Sequence, residues 1–218
     1  MFLQEHFHVQ TCKYIRLSSP PIRRWAPRPQ KGVAVNDDEK VPCVECGKPV
    51  SSKQAAKRGG LCLRCNANRN PFFVLYSWLI DRVCNSPGGF DALSEAEKIF
   101  YSLTLFRNEV NNGGFHQFFF NSSGTYYELI EDSLVTFNEP ELLNLLHQAK
   151  QLIFPDVKVS ADMRVRREQM QLADSRDDLM EKLDGVDQQF YAHPDTLSSK
   201  LETFARERGL VPTAEQKS

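Results

Sequence analysis

Two Cys-x-x-Cys pairs, "CVEC" at Cys43 and Cys46 and "CLRC" at Cys62 and Cys65, stand fifteen residues apart and constrain this chain more than any other feature. A Cys-x-x-Cys turn points two sulfurs at one spot, and two such turns brought together make an S4 site of the kind zinc fills. Two disulfides and a redox dithiol are the competing chemistries, and a reducing compartment and the doubled motif disfavour them. The spacer "GKPVSSKQAAKRGGL" has too few apolar residues for a core of its own, so bound metal is expected to supply the folding energy of a zinc ribbon over about 41–70. Four thiolates leave no open coordination position, which makes the expected Zn2+ structural and not catalytic.

The flanking segments read differently. Residues 1–40 include "SSPPIRRWAPRPQKGVAVNDDEK", whose prolines and charges carry no sustained period, and are expected to form a basic tail. His6, His8 and Cys12 lack a second ligand group to complete a metal site. The opening has no unbroken apolar run, so a secretory signal is not expected, and the longest apolar run, "FFVLYSWLI", is too short for a bilayer. The expected compartment is cytoplasmic, with no membrane partner.

From residue 71 to about 210 the pattern is helical, and 211–218 is a short tail. Ser94 and Glu97 form a capping-box signature ahead of Phe100, Leu103, Phe106 and Val110 at helical spacing. Thr125 with Glu128 repeats the signature, Asn138 is the expected cap of a helix with Pro140 in its first turn, and Gly209 is the expected C-terminal stop. Cys84 reads as an apolar helix residue. Alternating strand patterns are scarce, so the fold class is mainly α: a multi-helix globular domain with a small N-terminal zinc ribbon.

Within it, "EVNNGGFHQFFFNSSG" concentrates phenylalanines behind a double glycine. Asn111, Asn112, Gly113, Gly114 and Phe115 are read as a helix corner, because Gly-Gly after Asn-Asn ends one helix and starts the next at an angle. The alternative is an active site with Glu109 and His116 as base and acid.

Charge divides the chain. Residues 1–70 hold 13 Lys+Arg against 5 Asp+Glu, and residues 71–218 hold 14 against 23. Opposite fields of this kind bear on partners and not on fold. The basic segment makes nucleic acid a candidate partner through residues 1–70.

The segment "LSEAEKIFYSLTLFRNEVNNGGFHQFFFNSSGTYYELIEDSL", with the later "LDGVDQQFYAHPDTLSSKLETFA", resembles a bacterial helical domain family whose known representative is a DNA-mimic protein. The resemblance spans roughly residues 71–208. It implies an all-α fold, dimerisation, no catalysis, and carboxylates spaced like phosphates that occupy the DNA-binding face of a regulator. In this sequence the matching surface would draw on Glu128, Glu131, Asp132, Glu139 and Glu141, and the implied partner is a basic protein such as a DNA-binding regulator. Arg164, Arg166 and Arg167 interrupt the acidic character of that surface.

Overall fold

The computed structural model describes residues 39–174 and 178–211. The basic tail, with His6, His8 and Cys12, and the C-terminal residues 212–218 lie outside them. Among the described residues nine α-helices and one two-stranded hairpin are present, and no helix is long and apolar enough to cross a membrane.

The hairpin pairs β1 (Lys40–Pro42) with β2 (Pro49–Ser51) antiparallel, with Val41 opposite Val50. Its turn carries the first cysteine pair and closes where Gly47 adopts φ +70°. Two short helices follow, α1 (Ser52–Ala56) and α2 (Leu63–Asn68). Cys43, Val50, Ala55, Leu61 and Cys65 form a small buried cluster of their own. Five residues, two of them cysteines, are a meagre apolar core, consistent with a module that relies on its cysteines.

Helix α3 (Pro71–Asn85) begins directly after this module. Asn70 caps it, its Oδ1 accepting from the amides of Phe72 and Phe73, and Pro71 takes the first position, where its missing amide hydrogen costs nothing. The "NP" step carries that signal in the sequence. A 3-10 turn, Gly89–Ala92, leads into α4 (Glu95–Phe120). The capping box forms as expected: Ser94 Oγ accepts from the Glu97 amide, and the Glu97 carboxylate accepts from the Ser94 amide.

Helix α4 is the central element and packs against α3, α5 (Tyr127–Thr136), α6 (Pro140–Ile153), α7 (Met163–Asp174), α8 (Leu179–Ala192) and α9 (Thr196–Glu207). Its Phe106, Phe115, Phe118 and Phe119 are fully buried, together with Phe154 and Leu146 from around it. Truncating any one of these rings to alanine is expected to cost about 3–5 kcal/mol, through lost transfer energy and the cavity left behind. The apolar positions of α6 that fall on one face by sequence, Leu142, Leu145, Leu146, Ala149 and Ile153, are all buried.

Two expected caps differ. A 3-10 turn over Ser122–Tyr126 occupies the place where Thr125 was to cap, and α5 starts at Tyr127 without a side-chain cap. The Thr125 hydroxyl instead donates to the Ala161 carbonyl (3.0 Å), a tertiary partner invisible to a local pattern. Asn138 adopts φ +51°, so the cap position of α6 falls to Glu139. Gly209 takes φ +67° just beyond α9, as a helix stop requires. Cys84 is half-buried on α3.

Candidate docking surface and cysteine centre

The hairpin turn and the start of α2 bring Cys43, Cys46, Cys62 and Cys65 together, with all four sulfurs within 4.8 Å of one another. A tetrahedral zinc with bonds of about 2.3 Å has S···S edges of about 3.8 Å. Cys46 Sγ and Cys62 Sγ lie 3.7 Å apart, so the donor set fits a four-coordinate ion with little adjustment. Backbone amides serve the sulfurs as well: Cys62 N donates to Cys43 Sγ (3.1 Å) and Cys65 N to Cys62 Sγ (3.4 Å). Donation from the Cys62 amide, then from that of Cys46, holds the Cys43 thiol down to about 6, whereas burial pushes Cys65 up. Cys43 and Cys65 face inward and Cys46 is exposed.

The double glycine breaks α4 in two. Gly113 has φ −159° and ψ 28°, and Gly114 has φ +74° and ψ −177°, a conformation essentially confined to glycine. A side chain at Gly114 would begin 2.0 Å from Asp187 Oδ2 on α8. That closeness serves a bond: Asp187 Oδ1 accepts from the Phe115 amide (2.8 Å), capping the second half of α4 from another helix. Burial raises the Asp187 carboxyl above its ordinary value, against the lowering effect of that amide. Asn111 donates to the Arg107 carbonyl, and Asn112 to Gln117 Oε1, lacing the outside of the corner.

Glu109 is 3% exposed, and its Oε2 accepts from both Gln117 Nε2 (2.7 Å) and Asn121 Nδ2 (2.9 Å). The His116 ring lies stacked beside Phe120, centroids 6.1 Å apart. Glu109 is therefore enclosed by the corner that it braces.

The two segments that carry the resemblance dock on each other. Phe190 meets Phe106 and Phe115 edge-on, the Tyr191 hydroxyl donates to the Val110 carbonyl (3.1 Å), and Arg107 forks onto the Asp195 carboxylate (2.7 Å to Oδ2). Residues about eighty apart in sequence thus form one structural unit.

The five carboxylates expected to face a partner do not form one open surface. Glu139 is 4% exposed, accepts from the Thr196 hydroxyl and pairs with Lys200 (2.9 Å), so it is an internal brace between α6 and α9 and is withdrawn from the docking set. Glu131 accepts from Tyr127 Oη and His147 Nε2, Glu128 pairs with Lys158 (2.6 Å), and Glu141 lies 3.0 Å from His193 Nε2. Only Asp132 of the five is exposed without an ion pair among the described residues. A cleft of about 400 Å3 beside α5 and α6 is lined by Glu128 and Glu131 but equally by His147, Lys150 and Lys158.

The arginines also differ from expectation. Arg166 is fully buried, donating to the carbonyls of Phe119 (2.6 Å), Asn121 (2.7 Å) and Ser160 (2.6 Å). Arg167 donates to the Phe120 carbonyl and lies over its ring. Both close the C-terminal end of α4, where the helix dipole favours cations, and Arg166 adds no charge to the surface.

A family model described as DMP19-like protein matches residues 91–208, more than half of the chain. The chain belongs to the DMP19-like protein family. No curated protein and no solved structure shows significant similarity to it. The DMP19-like match takes in α4 to α9 and leaves out the cysteine centre and α3. On the DMP19-like domain a further acidic run lies on α8: Asp178, Glu181 and Asp184 are exposed at three-residue steps, which places neighbours on one helix face. Asp178 pairs with Lys182, while Glu181 and Asp184 have no ion pair among the described residues. The sequence signal was present in "DDLMEKLDG", but the expected set was taken from residues 71–157, which hold 11 acids against 4 bases.

Proposed function

We propose that this DMP19-like chain is a non-catalytic DNA mimic that docks a basic, DNA-binding protein through carboxylates of its helical domain. The observation that carries the reading is the exposed stripe on α8, Asp178, Glu181 and Asp184, in a domain whose shared segments are consumed by the interior. Three-residue steps on a helix advance about 4.5 Å. Phosphates along one DNA strand advance about 3.4 Å, so the two charge rows are comparable in pitch. Asp132, Glu128 and Glu141 supply a second group of exposed carboxylates, partly countered by Lys158 and His193.

The cysteine centre is read as a structural Zn2+ site. All-thiolate donors match zinc's softness, and a closed tetrahedron offers no position for a substrate.

The test is capture from lysate at low salt, followed by competition with duplex DNA. Basic DNA-binding proteins should be retained, released by salt as screened charge pairs require, and displaced by duplex. A Glu181→Gln, Asp184→Asn double variant should retain them several-fold less well. Captured proteins that duplex DNA does not displace would overturn the reading.

A further inference from the structure

The cysteine module and α3 carry features that a DNA-mimic role leaves unused. Helix α3 buries Phe72, Leu75, Tyr76, Leu79 and Val83 and turns Phe73, Val74 and Trp78 outward. Trp78 is 48% exposed and Phe73 44%, large values for rings in a domain that buries most of its aromatics. The indole is also held in place: Arg82 lies 4.7 Å from its ring centroid, and Glu97 fixes that guanidinium at 2.6 Å. Asp81, the acid on the same helix, is engaged by Asn85.

The module that precedes α3 carries an excess of positive charge. Residues 39–70 hold seven Lys+Arg, at 40, 48, 53, 57, 58, 64 and 69, against Glu39 and Glu45. Lys48, Lys57 and Arg64 are exposed and form no ion pair among the described residues. Arg64 lies on α2, which packs directly against α3.

We propose that the outer face of α3, with Phe73 and Trp78 as stacking rings and Lys57 and Arg64 as phosphate contacts, binds single-stranded nucleic acid. Charge complementarity selects a polyanion. One further fact selects a single strand over a duplex. Exposed rings find base faces to stack on only where bases are unpaired. This site is separate from the acidic stripe on α8 and stands or falls independently of it.

The experiment uses the full chain with zinc bound and a fluorescently labelled twelve-nucleotide oligo(dT), followed by anisotropy. Binding should be detected at low salt, with log K falling by about 0.7 per phosphate contact for each tenfold rise in salt. Trp78→Ala should weaken binding about tenfold while Trp78→Phe largely restores it, since stacking needs a ring and not an indole. Arg64→Gln should flatten the salt slope by about 0.7. Far-UV circular dichroism and zinc content should be unchanged in all three variants. Absence of binding would overturn the proposal. So would equal affinity for the duplex, or affinity that Trp78→Ala leaves intact. Displacement of the strand by polyglutamate without any effect of Trp78→Ala would assign the face to an acidic protein instead.

Discussion

Two residues decide whether the centre of the domain closes. At Gly114 the backbone lies in a region that L-residues avoid, and a Cβ would sit 2.0 Å from Asp187 Oδ2, so backbone and side chain must both give. Gly114→Ala is expected to cost about 2–4 kcal/mol in a urea melt, more than the conformation alone, because the cap on the Phe115 amide is lost with it. Arg166 is the other case. Its guanidinium has no carboxylate partner within hydrogen-bond reach, and burial, followed by the neighbouring Arg167, draws its pKa down to about 10. Four backbone carbonyls hold it, the fourth being Ala161 at 3.3 Å. Arg166→Met should cost about 3 kcal/mol or more, since several buried acceptors lose their donor at once, and it should leave partner binding unchanged in variants that remain folded. The double glycine was legible as a corner because the residue type names the conformation. Arg166 was not, because an arginine inside a polar helical stretch reads as surface until the two of its carbonyl partners that lie some forty-five positions away are known.

At the scale of elements, the chain shows which caps a local pattern can reveal. Ser94 with Glu97 caps from within four residues and was read correctly. Thr125 does not cap because it lies inside a 3-10 turn, where its hydroxyl donates to the Ala161 carbonyl. The start of α9 offers a test with a pH signature. Asp195 caps it by accepting from the Ser198 amide and also pairs with Arg107 on α4. Its burial favours the neutral acid, but Arg107 and Ser198 outweigh that, and its pKa is lowered. A depressed carboxylate contributes stability that is present above its unfolded pKa and lost as pH falls through the folded one. Asn caps a helix about as well as Asp, so Asp195→Asn isolates the ion pair. The variant should melt below the parent at pH 7, and thermal melts of the two should converge as pH falls below the carboxylate range. A gap that persists at pH 2–3 would mean that the ion pair is not what Asp195 contributes.

Across the whole molecule, helices and thiolates divide the work of folding. Removing metal with a strong chelator should unfold the hairpin, α1 and α2 while α4 to α9 persist, seen as loss of the module's amide signals with little change in helical circular dichroism. Global unfolding on chelation would contradict that division. The fold class was legible because periodicity and cysteine spacing are local, and the four-cysteine cluster because Cys-x-x-Cys is a spacing rule. The acidic surface was legible only in part: composition counts carboxylates, whereas Glu139 shows that counting cannot tell a charge in solvent from one clasped by Thr196 and Lys200. Arg69 ends α2 and the next residue, Asn70, is already the cap of α3. With no linker to swivel on, the basic module keeps a fixed bearing on α3, and its charge gives the molecule an oriented field. Near any polyelectrolyte it should rotate to a preferred heading before first contact, much as a compass needle settles in a field.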